Sequence, residues 1–361
     1  MSREEKAFTS YTLFTTLFHM AEYISTFLTG FQEVVAEDLV KRIPKCKILN
    51  LFDGMIHYKY DGNSRDLEKI TYFNNTFFVL KTMKGKGLNF NSLVGAVASE
   101  NKYYLINKGT FRVRFVNENQ FAKVEPNIAR KAEDTVLRNS KLKTDRVSPA
   151  TEIWYSIRRE GFAFCGQLVS KREFTEKNLH KGELRPELAY LLCSFANASR
   201  DDVVCDPFCG YGSIPVQLAK NFPYKRLFAF DIDDEKISML KENRHLKKEN
   251  IVIARKDSLK LTAEDFVCDD GNGSNTEDCR VSLIITDPPW GYFEDIGDIA
   301  DFYRKLFDSV KNIICSGGRM VILTARVEEL KKITAEKSLN VLEGPHTLVN
   351  GKKAGVFIIT F

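Results

Sequence analysis

Among the 361 residues there are eight cysteines but no CxxC pair, and five histidines that do not cluster. Neither a structural zinc nor an iron–sulfur site is therefore indicated, and no metal is expected. Cys205 and Cys209 stand four apart without partners. The cysteines read as small buried residues of a reducing compartment, which makes the cytoplasm the default location. No apolar run approaches the ~20 residues that cross a bilayer, and no signal-peptide pattern opens the chain, so no membrane partner is expected. Internal repeats and low-complexity segments are missing too. A hydrophobic content of 43% is ample for proper cores, and the length suits two or three domains.

Charge is unevenly spread. Residues 1–190 carry 30 Lys or Arg against 22 Asp or Glu, whereas residues 191–361 carry 23 against 26. A front half at +8 and a back half at −3 are the pattern of a phosphate-docking part joined to a part that holds chemistry. Arg112, Arg114, Arg130, Lys131, Arg138, Lys141, Lys143, Arg158 and Arg159 form the basic set in front. Solvated faces are the plainer explanation of such charges taken alone. FRVRFV and IWYSIRR alternate as half-buried strands do, and PNIARKAEDTVLRN has helical spacing after a proline.

The back half repeats one device. VVCD, RLFAFDID, NIVIARKDSL and VSLIIT are four short apolar strands, each delivering polar residues to its carboxyl end. The first leads to Gly210 and Gly212 and then to the helix-like PVQLAK, the strand, glycine loop and helix by which an open α/β sheet binds a nucleotide-like ligand. Pro215 stands where the third glycine of GxGxxG would be, so a pyrophosphate has no obvious seat. A donor without phosphate fits better: S-adenosylmethionine. Asp206, Phe208, Gly210 and Gly212 are the candidates around its methionine end, Asp231 and Ile232 follow at the ribose, and Asp257 and Ser258 near the adenine.

The fourth strand runs into Asp287, Pro288, Pro289 and Trp290. The exocyclic amine of a base is a poor nucleophile because its lone pair is delocalised. Acceptors on both N–H groups favour a pyramidal nitrogen and aim that lone pair at an electrophile. Asp287 and the Pro288 carbonyl are candidate acceptors, Trp290 a stacking partner, and the two prolines hold φ fixed.

DPFCGYGSIPVQLA, ELRPELAYLL and DPPWGYFE together resemble the THUMP-containing RNA methyltransferases, in the branch that methylates guanine N2. The resemblance runs from about residue 22 onward and is strongest over 166–295. Two departures are Tyr211, where a small residue is more usual, and Asp rather than Asn at 287, which suits guanine. The resemblance implies an α/β chain: a ferredoxin-like domain (21–64), an α/β THUMP RNA-binding domain (65–169), a linker (170–185) and a Rossmann-like, seven-stranded class I methyltransferase domain (186–361). Residues 1–20 are an extension, with Met20 an alternative initiator. Arg112, Arg114, Lys171, Arg172 and Arg185 are candidate RNA contacts.

The expectation is a monomeric enzyme forming N2-methylguanosine, most naturally in tRNA near the acceptor stem, with large (23S) ribosomal RNA as the substitute substrate. A protein glutamine methyltransferase uses similar geometry for a planar amide, but has little use for a +8 front half. A silent RNA-binding protein would predict a damaged donor site, and its acids and glycines are present. The acidic stretch 267–279 reads as a surface loop, and TLVNGKKAGVFIITF as a hairpin around Asn350 and Gly351.

Overall fold

A computed structural model describes residues 21–172, 179–269, 276–278, 280–292 and 296–361. The chain divides into two units. Residues up to 27 and 39–173 form the first, and residues 28–38 and 174–361 form the second.

The first unit contains β1 (Ala21–Thr26), the end of α1 (Gln32–Arg42), β2 (Lys47–Phe52), β3 (Met55–Tyr60), α2 (Ser64–Glu68) and β4 (Asn75–Lys84). It continues through α3 (Phe90–Ala98), β5 (Lys108–Asn117), β6 (Gln120–Phe121), α4 (Pro126–Asn139), β7 (Lys141–Thr144), β8 (Thr151–Arg158) and β9 (Phe162–Lys171). All nine strands join one sheet, ordered β2-β3-β1-β4-β9-β8-β5-β6 with β7 also on β5. The boundary expected at 64/65 therefore falls inside a continuous sheet, because β1 pairs with β4. On β5, Phe111 and Phe115 are buried, but the expected alternation is only partial: Val113 is half-buried like Arg112 and Arg114, and Val116 is buried. The alternation expected of β8 fails. That strand lies inside the sheet between β5 and β9, and Ile153, Tyr155, Ser156 and Arg158 are all buried.

The second unit is built on a seven-stranded sheet. Its elements are α5 (Pro186–Ala196), β10 (Val203–Asp206), α6 (Ser213–Asn221), β11 (Arg226–Asp231), α7 (Asp234–Lys241) and β12 (Ile251–Arg255). A short antiparallel pair, β13 (Val267–Asp269) and β14 (Thr276–Asp278), replaces the expected plain loop. Then come β15 (Val281–Thr286), α8 (Ile299–Ile313), β16 (Ile314–Thr324), α9 (Val327–Glu336), β17 (Asn340–Val349) and β18 (Lys352–Thr360). The order is β12-β11-β10-β15-β16-β18-β17, with β12 to β16 parallel and β18 antiparallel to both its neighbours.

The central strands read as unbroken apolar runs because helices cover both faces of a parallel sheet. All four residues of β10 are buried, as are five of the six in β15. Helix α8 buries Phe302, Tyr303, Leu306, Phe307, Val310 and Ile313 on one stripe, and its N-cap Asp298 accepts the Ala300 and Asp301 N–H groups. Each such side chain stabilises the packing by roughly 1.5–3 kcal/mol. Asn350 (φ 49°) and Gly351 (φ 76°) turn the β17–β18 hairpin in the left-handed conformation that a two-residue turn requires. Residues 28–38 complete this unit from far upstream. The buried Asp38 carboxylate accepts the Tyr190 hydroxyl at 3.0 Å through both oxygens, and a side-chain carbon on Gly30 (φ 89°) would meet the His346 carbonyl oxygen at 1.7 Å.

Candidate active site

Parallel strands that end on one side leave a crevice at their carboxyl edge where the chain reverses direction to either side of the first strand. Here β10, β11, β12 and β15 end around a cavity of about 650 Å³. That volume lies within the roughly 300–1,000 Å³ of small-molecule sites. Phe208, Gly210, Asp231, Ile232, Asp257, Ser258, Asp287, Pro288 and Trp290 all line it.

Asp231 ends β11 with its carboxylate already oriented: one oxygen accepts the Gly210 N–H at 2.8 Å and the other the Asp233 N–H at 3.0 Å. Each oxygen keeps a lone pair for a ligand hydroxyl. Gly210 (φ 52°) has no protein atom within 4 Å of where a Cβ would be, so backbone there is open to a ligand. Ile232 is 61% exposed beside the cavity, an apolar side chain offered to a flat ring. Asp257 accepts the Leu259 N–H at 3.1 Å and pairs with Lys260 at 3.0 Å. The Ser258 hydroxyl donates to the Pro207 carbonyl, which commits its proton and leaves the oxygen only acceptor capacity for a ligand.

Asp206 and Gly212 are not among the lining residues. Asp206 is 1% exposed; its Oδ1 accepts the Thr286 hydroxyl at 3.0 Å and the Phe208 N–H at 3.2 Å. It ties the first strand's end to the residue before Asp287, and burial pushes its carboxyl up to about 8 despite those bonds. Gly212 is set by packing: at φ 89° a Cβ would lie 2.1 Å from Leu240 Cδ1.

Asp287 is the anomaly of the site. Its Oδ1 is buried without a hydrogen-bond partner, and burial pushes the carboxyl up to about 7 against the lowering effect of the Trp290 side chain. Buried acceptors are normally satisfied, so an orphan on a cavity wall invites a donor from a ligand. Trp290 is 8% exposed and fixed at both ends, its indole N–H donating to the Leu323 carbonyl at 3.4 Å and its own carbonyl accepting Arg326 Nε at 2.7 Å. Its ring presents a fixed wall rather than a free face.

Sequence reasoning missed part of the wall. Gly182, Glu183 and Leu184, expected as linker, line the cavity, as do Val349 and Asn350 at the hairpin turn, together with Lys236 after β11. No period marks the first group, and only the hairpin's Asn-Gly signal could have drawn attention to the second. Among the expected RNA contacts, Arg112 bonds to Glu152, Arg114 sits 3.7 Å from the same carboxylate and 4.7 Å over the exposed Phe121 ring, Arg172 donates to Asn74 at 3.2 Å, and Arg185 pairs with the buried Glu187 at 3.3 Å. Lys171 is exposed at the end of β9.

Fold and site define a Rossmann-like class I methyltransferase unit behind an α/β front. Residues 172–351 match the family described as RMKL-like, methyltransferase domain, and through that domain the chain belongs to this family. It is 23% identical over 221 residues to a tRNA (guanine(6)-N2)-methyltransferase of Methanocaldococcus jannaschii, covering 53% of this chain and 57% of the relative. It is 25% identical over 207 residues to a tRNA (guanine(10)-N2)-dimethyltransferase of Methanothermobacter thermautotrophicus, covering 54% and 57%. The chain thus spans little more than half the length of these curated relatives. The crystal structure of TrmN from Thermus thermophilus superimposes with a TM-score of 0.73 over 95% of this chain and 99% of that one, at 20% identity, a likeness of fold.

Proposed function

We propose that the protein is an S-adenosylmethionine-dependent RNA methyltransferase that forms N2-methylguanosine, acting as a monomer on tRNA near the acceptor stem in the cytoplasm. The observation that carries this reading is the buried, unpartnered Oδ1 of Asp287 in the same cavity as the preoriented Asp231 carboxylate. The matched relatives act on guanine N2 of tRNA, and the +8 front half supplies a phosphate-docking module that a glutamine methyltransferase would not use.

The residues present fit the donor. Asp231 would hold the ribose hydroxyls, Ile232 and Phe208 would border the adenine, Asp257 would meet its exocyclic amine, and the open backbone at Gly210 would take the methionine end. When bound, S-adenosylmethionine supplies an electrophilic methyl on a sulfonium. A stacked guanine cannot reach that edge, so the base enters the cavity flipped out of its helix. Asp287 and the Pro288 carbonyl accept the two N2–H groups, and Trp290 bounds the ring. That orientation would direct the nitrogen lone pair toward the methyl that the bound donor would supply. Asp287 is placed to take the proton that the resulting ammonium loses.

Calorimetry with S-adenosylmethionine, followed by labelled methyl transfer to separate tRNA, rRNA and protein pools, tests the reading. Nucleoside digests of labelled tRNA should contain N2-methylguanosine. Label confined to protein, or found on adenine N6, would overturn it.

A further inference from the structure

Just beyond the DPPW turn, Tyr292 holds an exposed ring between two cations. Its side chain is 41% exposed; Arg326 Cζ lies 4.0 Å and Lys352 Nζ 4.6 Å from the ring centroid. These residues come from three places in the chain: the segment after β15, the residue before α9, and the start of β18. Val349 and Asn350, on the same hairpin turn as Lys352, line the cavity with Asp287, Pro288 and Gly291. The hairpin tip from Asn350 to Lys353 is exposed throughout.

The two cations are not equivalent. Arg326 is committed to the motif, with Nε on the Trp290 carbonyl at 2.7 Å and Nη1 3.5 Å from Glu329. Lys352 has no carboxylate partner among the described residues, and its ammonium lies against the ring. A ring quadrupole attracts each cation weakly, whereas two cations on one ring repel each other. An anion between or beside them removes that repulsion. Nothing about this half of the chain favours a fortuitous basic patch, since residues 191–361 carry a net −3.

We infer that Lys352, with Tyr292 and Arg326, is a phosphate clamp on the catalytic unit that holds the RNA backbone next to the flipped nucleotide. This rests on the RNA reading above and deepens it. A base leaving its stack drags its flanking phosphates with it, and a cation at the mouth of the base cavity fixes where they stop. Tyr292 receives the Lys352 ammonium against its ring two residues from the cavity-lining Asn350, and Arg326, on that ring and on the Trp290 carbonyl, ties it to the turn bearing Asp287. Lys352 is therefore a positioning residue: it holds the backbone, and it does not touch the reacting amine.

The test uses the full chain, S-adenosylmethionine and bulk tRNA from cells lacking the gene. Wild type, Lys352→Glu, Tyr292→Ala and the distant exposed control Lys247→Glu are compared in labelled methyl transfer from 50 to 200 mM salt, with donor affinity measured by calorimetry. Each phosphate contact contributes about one unit to the slope of log affinity against log salt. Lys352→Glu should lower kcat/KM at least roughly tenfold at the lower salt and flatten its salt slope by about one. Tyr292→Ala should give a smaller loss of the same kind, Lys247→Glu almost none, and donor affinity should hold in all four. A Lys352→Glu enzyme with wild-type turnover and slope overturns the clamp, as does an equal effect from Lys247→Glu. If wild type labels protein and not tRNA, the RNA reading itself has failed and the clamp falls with it.

Discussion

Replacing Asp287 with alanine should have opposite effects on catalysis and on stability. On the catalytic side, one of two oriented acceptors disappears while the Pro288 carbonyl stays. Removal of one such preorganised group typically lowers turnover ~100-fold or more, about 2.7 kcal/mol of barrier. Donor affinity should stay within about threefold, because Asp231 and Gly210 lie elsewhere on the wall. On the stability side, the folded carboxyl titrates at about 7, against 3.8 for an ordinary aspartate. A raised acid contributes stability below its unfolded pKa and loses it as pH rises through the folded one. Wild type should therefore lose stability between about pH 4 and pH 7, and the variant should not lose this share. A displacement of that size corresponds to a ceiling of ~4 kcal/mol. Relaxation around the site makes ~2–4 kcal/mol a reasonable range. Denaturant melts at pH 4, 7 and 8 would show the difference between variant and wild type growing by that amount from pH 4 to 7 and then levelling. Turnover within tenfold of wild type would remove Asp287 from the mechanism; an equal stability change at every pH would refute the buried-acid reasoning.

Three further expectations follow from the same geometry. The kcat/KM profile should fall on the acid side with a midpoint near pH 7, since a protonated Asp287 loses acceptor capacity, and that limb should be missing in Asp287→Asn; a flat wild-type profile from pH 6 to 8 would contradict it. Asp231→Ala should weaken donor binding by roughly 10- to 100-fold in calorimetry, or ~1.4–2.7 kcal/mol, through lost ribose contacts and release of the Gly210 N–H; unchanged affinity would move the ribose elsewhere. Arg112→Ala should destabilise the fold by ~2–4 kcal/mol at pH 7 in denaturant melts, because it strips a buried carboxylate of its main partner. Burial raises Glu152, but its bonds from Arg112 and Trp154 outweigh this and hold it low, so that loss should shrink as pH falls below about 4.5, the ordinary glutamate value.

What could be read in advance was what short-range pattern controls. Strands buried on both faces must be continuously apolar, so β10, β11 and β15 announced themselves together with the acids at their ends, and the half-buried edge strand β12 kept the same apolar run. The Asn350–Gly351 turn was equally plain because few residue pairs accept that backbone. Long-range partnerships were not legible. Arg112 and Arg114 looked free for phosphate because Glu152, their carboxylate, lies some forty residues away on a strand paired with theirs. Asp206 resembled a ligand contact and proves to support Thr286 from behind the wall. Gly182 to Leu184 carry no period that would distinguish cavity lining from linker. The site roles proposed above rest on chemistry carried by Asp231 and Asp287, and on the resemblance of the motifs around them.

The excursion of residues 28–38 into the second unit bears on how the molecule could be taken apart. The methyltransferase half is discontinuous, closed by a segment drawn from far upstream, with Asp38 receiving the Tyr190 hydroxyl and Gly30 admitting no side chain against His346. A protein started at His180 would retain every residue that lines the donor cavity and still lack part of its own packing. Such a truncation should expose Tyr190 and Ser194 without their acceptor, and a peptide spanning residues 28–42 supplied in trans should restore part of its stability. The catalytic half is thus a two-piece object, and its severable joint is not the linker that composition suggests.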